Sequence, residues 1–184
     1  RCGWIRRPDR SGSRARRPTL EDKDAILEMI AEFDAANSYM HGGVGSTWKR
    51  AKNYEDWLMI LEQQEDAGNL PEGWVPAIQF ISVDEENRPL GFLALRLLLN
   101  EKLFVEGGHI GYSIRPGERG RGYGQEQLHL GLIEAKRAGL DFALITCDKE
   151  NEASRRTILA NGGVYDNTIQ GSERYWIELD GEVA

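Results

Sequence analysis

The sequence predicts a mixed α/β domain in which helices cover both faces of a mixed sheet. Three observations carry that expectation. Apolar residues recur at helical spacing early in the chain, at Ile26, Met29, Ile30 and Phe33. Strand-like runs then follow one another between residues 74 and 114. Helix and strand signals alternate from there to the end, the order expected of a layered domain.

The elements follow in order. Thr19 with Asp22 resembles a capping box and opens the first helix. Residues 37–52 hold His41, Gly42, Gly43, Gly45 and Trp48 and read as a loop. A second helix starts near Asn53, with Trp57, Ile60 and Leu61 on one side, and residues 69–73 break it. Strands are predicted at 74–83, 90–99 and 104–114, the last interrupted by Gly107 and Gly108. A glycine- and arginine-rich turn over 115–124 leads into a helix over 125–138, which Gly139 stops. A strand at 142–147, a helix at 153–160 and a closing hairpin from 164–169 and 175–179 complete the chain.

A chain of 184 residues suits one domain, and 40% apolar with 29% charged residues is ordinary globular composition. No apolar run approaches the ~18 residues that a spanning helix needs. Residues 1–17 hold seven Arg and one Asp; they carry +6 and the remaining residues −13. We read 1–17 as a basic leader or flexible tail outside a single domain over 18–184. They show no core-facing pattern, so their removal is expected to leave folding intact. An acidic body argues against a nucleic-acid surface, which needs Lys and Arg for phosphates, and favours a cationic small substrate. Cys2 and Cys147 form neither a disulfide framework nor a metal pattern, so the expected compartment is the reducing cytoplasm and no metal is expected.

The chemistry concentrates between Ile110 and Leu132, where a strand enters a turn of sequence Arg119-Gly120-Arg121-Gly122-Tyr123-Gly124 and a helix leaves it from Gln125. Glycines permit positive φ and leave room for backbone to curl around an anion. The helix start adds unpaired N–H groups and the positive end of its dipole. A nucleotide P-loop would need Lys followed by Ser or Thr where Tyr123 and Gly124 stand, and a dinucleotide fingerprint would need Gly where Gln125 stands.

The pattern Arg119, Gly122, Gly124 resembles the pyrophosphate-binding motif of the GNAT superfamily of N-acetyltransferases, and residues 146–156 with Asn161-Gly162-Gly163 resemble the family's second motif. With Gly108-His109-Ile110-Gly111-Tyr112 and the terminal residues 174–179, the likeness is to a bacterial subgroup of acetyltransferases known only as predicted ones, and it covers residues 18–179. The resemblance implies a central, mostly antiparallel sheet with one splayed strand pair, formed by 110–114 and 142–147. It implies acetyl-CoA as co-substrate, its pantetheine arm bonded to main-chain groups of Tyr112 and Ile114 and flanked by Asn151 and Ser154. It implies direct attack of an amine on the thioester, with a backbone N–H near Tyr112–Ile114 meeting the oxyanion. The acceptor is then an amine-bearing small molecule or peptide, and the family pattern leaves room for a homodimer. Many members carry a Tyr seven residues after the motif Asn as general acid; here that residue is Ile158, and Tyr123, Tyr165 and Tyr175 are other hydroxyls. The missing Tyr also leaves open a non-catalytic acyl-CoA-binding sensor.

The usual base Glu of the family falls near Gly108, which makes His109 and Glu106 the base candidates. The alternative for His109 is a bond to a neighbour within the sheet, and for Glu106 simple exposure. The loop around His41 would face the acceptor, with Trp48 and Trp74 among its walls or, equally, in the core. Cys147 reads as a small hydrophobe.

Overall fold

The computed structural model describes residues 12–179. Along the chain come β1 (Arg14–Arg16), α1 (Lys23–Ala35), α2 (Val44–Arg50), α3 (Tyr54–Gln64), β2 (Ala77–Val83), β3 (Pro89–Arg96), α4 (Glu101–Val105), β4 (Ile110–Ile114), α5 (Tyr123–Arg137), β5 (Phe142–Asp148), α6 (Glu152–Ala160), β6 (Val164–Ile169) and β7 (Ser172–Glu178). They build two antiparallel sheets, ordered β1-β2-β3-β4 and β5-β7-β6.

Strand alternation sorts the core into two halves. Leu93, Leu95 and Ile110 point to one face, where Leu128, Leu132 and Ala135 of α5, Ile158 of α6 and Ile145 of β5 close over them. Ile81, Val83 and Phe92 point to the other, under Ile26, Met29 and Phe33 of α1, Val44 of α2 and Trp57 of α3. Helices therefore cover both faces, as the sequence predicts.

Several boundaries differ, and the three largest differences have local causes. Arg14–Arg16 is not tail but edge strand, paired Arg14↔Val83 and Arg16↔Ile81. The guanidinium of Arg16 holds both oxygens of the buried Asp22 at 2.7 Å, and Asp22 in turn accepts from the N–H of Thr19 at 2.7 Å. The rest of the predicted leader, residues 1–11, lies outside the described residues. The predicted loop over 37–52 contains α2, entered through Gly43 at φ 88° and anchored by the buried Val44 and Thr47. The predicted strand over 104–114 is half helix: Asn100 caps α4 by accepting from the N–H of Leu103, and Gly107 and Gly108 turn the chain at positive φ before β4 begins. The closing hairpin forms, but its second strand starts at Ser172 rather than Tyr175, which leaves the two-residue loop Gln170-Gly171 with both φ positive. No helix among the described residues is long and apolar enough to cross a membrane.

Candidate active site

β4 and β5 lie where the two sheets meet, and they form no ladder with each other. They touch at one end only. The N–H of His109 donates to the Leu144 carbonyl at 2.8 Å, the N–H of Leu144 donates to His109 Nδ1 at 2.9 Å, and the N–H of Gly107 donates to Thr146 Oγ1 at 2.8 Å. Beyond that clasp the strands part. On its other side β4 is bonded to β3: Arg96 N–H donates to the His109 carbonyl at 2.7 Å and Arg115 N–H to the Leu90 carbonyl at 2.8 Å. Main-chain direction alternates along a strand, so Ile110, Tyr112 and Ile114 present their N–H and C=O groups to the open edge. Of these, the Ile114 carbonyl already accepts from Arg119 Nε at 3.0 Å.

The glycine-rich turn follows directly. Gly120 and Gly122 stand at φ 78° and 88°, with nothing within 4 Å of the place a Cβ would take. Gly122 is the N-cap of α5, whose first-turn N–H groups point into the same open space. The turn is braced from behind: Arg115, 2% exposed, donates to Glu32 Oε2 at 2.6 and 2.8 Å, while Gly117 N–H donates to Glu32 Oε1 at 2.6 Å. Arg119 also leans away from the open space, donating to Ser38 Oγ at 2.8 Å with its guanidinium 5.7 Å from the Phe33 ring. Arg121 is exposed and pairs with Glu118 at 3.2 Å. The loop thus offers backbone donors and the positive end of a 15-residue helix to an anion.

Across the opening stands α6. Asn151 caps it, accepting from the N–H of Ser154 at 3.1 Å, and the Ser154 hydroxyl is 2.7 Å from the Tyr112 hydroxyl. Burial pushes the Tyr112 phenol up to about 12, so it keeps its proton at neutral pH. Ile158, at the position read as a lost tyrosine, is fully buried in the core between α5 and β5. Cys147 packs at the end of β5, and burial raises its thiol to about 11, the opposite of an activated nucleophile. Tyr175 donates to Glu173 at 2.8 Å, which Arg155 also holds, so its hydroxyl is engaged away from the Tyr112–Ser154 pair.

For both base candidates the structure bears on the choice that the sequence leaves open. His109 uses its Nδ1 lone pair to satisfy the Leu144 amide, so its neutral form carries the proton on Nε2 and has no free lone pair for a substrate ammonium. Burial, then the charge of Arg96, holds its pKa below the ordinary 6.5. The geometry favours the other reading of His109, a clasp between strands, over the base role. A pH dependence follows. A His whose folded pKa is depressed adds stability above the unfolded value that is lost as pH falls below about 6.5. His109→Ala is expected to cost about 1–3 kcal/mol, because the Leu144 N–H loses its acceptor, and to flatten the decline in melting temperature between neutral pH and pH 5. An unchanged melting temperature and profile would contradict the clasp. Glu106 is exposed, just past α4.

On the acceptor side, His41 lies edge-on to Tyr39 at 4.7 Å and its carbonyl accepts from Ser113 Oγ at 2.7 Å, which ties this loop to β4. Desolvation, then Arg119 and Arg96, hold its pKa low, against the opposing charge of Glu106. Trp48 packs edge-on to Trp57 at 5.7 Å, against the core. Trp74 lies under the Arg50 guanidinium at 4.9 Å, before β2. A pocket of about 290 Å³ bounded by Asp34, Tyr39, Trp48 and Lys49 shares no residue with β4, β5 or the glycine turn. Among the described residues no group of three His, Cys, Asp or Glu side chains is arranged to hold a metal.

A strand opening beside a left-handed glycine turn can be matched against known proteins. The family model described as an acetyltransferase (GNAT) domain fits residues 14–164. The chain belongs to the GNAT acetyltransferase family. Solved GNAT structures share its fold. A Salmonella typhimurium protein with its cofactor acetyl-CoA has a TM-score of 0.59 at 17% identity, covering 94% of this chain and 96% of that one. Ribosomal-protein-S5-alanine acetyltransferase from Vibrio fischeri has 0.64 at 18%, covering 91% and 93%. Spermidine N-acetyltransferase from Vibrio cholerae, in complex with CoA and spermine, has 0.59 at 13%, covering 91% and 95%. At these identities the likeness is one of fold. No curated protein matches the chain.

Two features of this GNAT site lay beyond sequence reading. Arg115 and Glu32 are 83 residues apart, and only the packing of α1 against the turn brings them together. Arg96, at the end of β3, donates from Nη1 to the carbonyls of Gly107 and Gly108, both at 3.0 Å, and so holds the turn that precedes β4. A Cβ at Gly108 would collide with the Leu144 carbonyl, which explains why no glutamate stands there.

Proposed function

We propose that this GNAT domain transfers an acetyl group from acetyl-CoA to a primary amine of a small molecule or peptide. The observation that carries the proposal is the juxtaposition of an open β4 edge with the left-handed glycine turn. The first suits an extended arm added like a strand, the second a pyrophosphate. The residues present fit that co-substrate. Gly120, Gly122 and the α5 N-terminus would meet its pyrophosphate, the main chain of Tyr112 and Ile114 its pantetheine, and Asn151 and Ser154 would flank it. Arg119 contributes by fixing the end of β4, and Arg121 as an exposed charge.

Catalysis in this reading is mainly positioning. Water takes the proton from the ammonium, since His109 is engaged; Glu106 is the ionisable side chain left to test as its partner. The amine then attacks the thioester carbon, with a β4 N–H near Tyr112 as the oxyanion donor. The departing thiolate needs a proton, and the Tyr112–Ser154 hydroxyl pair replaces the tyrosine absent at Ile158. Tyr112→Phe is expected to lower kcat about 10²-fold or more with little change in acetyl-CoA affinity. An unchanged kcat would assign that proton to solvent.

Ile158 also favours a second reading, an acyl-CoA sensor without turnover. Thiol release from acetyl-CoA across a panel of amines separates the two. Amine-dependent release supports transfer, whereas saturable acetyl-CoA binding with no release supports the sensor.

A further inference from the structure

Five arginines among the described residues are not exposed: Arg16, Arg96, Arg115, Arg155 and Arg174. Four of them hold a carboxylate, from Asp22, Glu32, Glu173 and Asp166 respectively. Arg96 has no acid within ion-pair distance among the described residues. A guanidinium withdrawn from water is ordinarily paired, so the missing anion at Arg96 calls for an explanation.

Its surroundings supply one. Nη1 is committed to the carbonyls of Gly107 and Gly108. Nη2 points elsewhere: a Cβ built on Gly111 would lie 3.3 Å from Arg96 Nη2 and 3.4 Å from the backbone nitrogen of Gly42. Two nitrogens, one of them cationic, therefore lie within contact distance of the place a side chain at residue 111 would take. Arg96 is fixed from below by its two carbonyls, and Gly42 by the bond from Gln79 Nε2 to its carbonyl at 2.8 Å. Gly111 belongs to β4 and immediately precedes Tyr112, on the strand face shared with Ser113 and the His41 loop. Arg96 Nη2 and the Gly42 nitrogen thus lie on the acceptor-loop side of β4.

We propose that the acceptor is an amine that also carries a carboxylate or phosphate, held over Gly111 by Arg96 Nη2 and the Gly42 N–H. This rests on acetyl transfer as the activity of the site and narrows its acceptor class. It reverses the expectation from overall charge: the acidic body favours cations at long range, while Arg96 selects an anion. The oxyanion gives Arg96 the acidic partner that the other four arginines already have, and orients the amine beside it.

The test compares amines that differ only in the anion: alanine with its primary amide, and O-phosphoethanolamine with ethanolamine. For the wild type, kcat/KM is expected to be at least tenfold higher for an anionic member, and the pair that discriminates tells carboxylate from phosphate. Arg96→Gln removes the discrimination through KM, and Arg96→Lys, which keeps the charge, retains part of it. Melting temperature and acetyl-CoA affinity of each variant report whether the Gly107–Gly108 turn has survived. Equal kcat/KM within both pairs overturns the proposal, as does an Arg96→Gln loss confined to kcat and equal for both members. Should no amine be acetylated, calorimetry on the protein saturated with CoA still decides it. N-acetylalanine or N-acetyl-O-phosphoethanolamine is expected to bind at least tenfold more tightly than its neutral counterpart, and equal binding in both pairs overturns the anion site independently of turnover.

Discussion

A chain lacking residues 1–17 is expected to melt about 10 °C below one lacking only residues 1–11. The longer deletion removes β1, including Arg16, whose guanidinium holds both oxygens of Asp22 at 2.7 Å. Asp22 is 6% exposed, and its carboxyl is held below its ordinary range first by that Arg16 bond. Leaving such a charge unpaired costs about 3–5 kcal/mol. At about 2–4 °C per kcal/mol for a domain of this size, that alone accounts for the shift. The deletion also bares the edge of β2, where Ile81 and Val83 are fully buried, and makes it a template for association. Thermal unfolding of the two truncated chains, with light scattering, measures both effects. Equal melting temperatures would show that β1 contributes nothing.

Gly122→Val is expected to weaken acetyl-CoA binding at least ~100-fold, about 3 kcal/mol. The cause is conformational rather than steric. No protein atom lies within 4 Å of a Cβ built at Gly122, so a side chain there meets nothing within the protein itself. The backbone, however, stands at φ 88°, a region in which a β-branched residue is a severe outlier. Valine would pull the turn out of that conformation, and the N–H groups of residues 120–124 would no longer converge. Gly124→Ala provides the contrast: its Cβ would meet only Thr157 Oγ1 at an ordinary 3.7 Å, so affinity should stay within a few-fold. Calorimetric titration distinguishes the outcomes. Equal affinities for wild type and Gly122→Val would remove the turn from the binding site.

What was legible in the sequence follows from the range of the interactions concerned. The glycine turn was readable because its chemistry is local: positive φ, backbone N–H groups and a helix start all lie within a few residues. The two helical layers were readable from periodicity. β1 was not, because a three-residue edge strand of Arg-Ala-Arg has no apolar alternation, and its partners Val83 and Asp22 come from other elements. His109 was ambiguous for the same reason. Its sequence position beside the cofactor strand suggests a base, and only the amide of Leu144, 35 residues away, reveals a clasp. Ile158 read as a missing acid; its side chain lies wholly in the core, and it is Tyr112 and Ser154 that bring two hydroxyls within 2.7 Å of each other.

The central claim, that the opening between β4 and β5 receives acetyl-CoA, is tested most directly by amide hydrogen exchange with and without the co-substrate. Binding there is expected to slow exchange at Tyr112 and Ile114, in residues 120–126 and at the start of α6, while β2 and β6 are unaffected. Saturable binding that leaves residues 110–126 unchanged, or protects only the α1–α2 pocket, would contradict it.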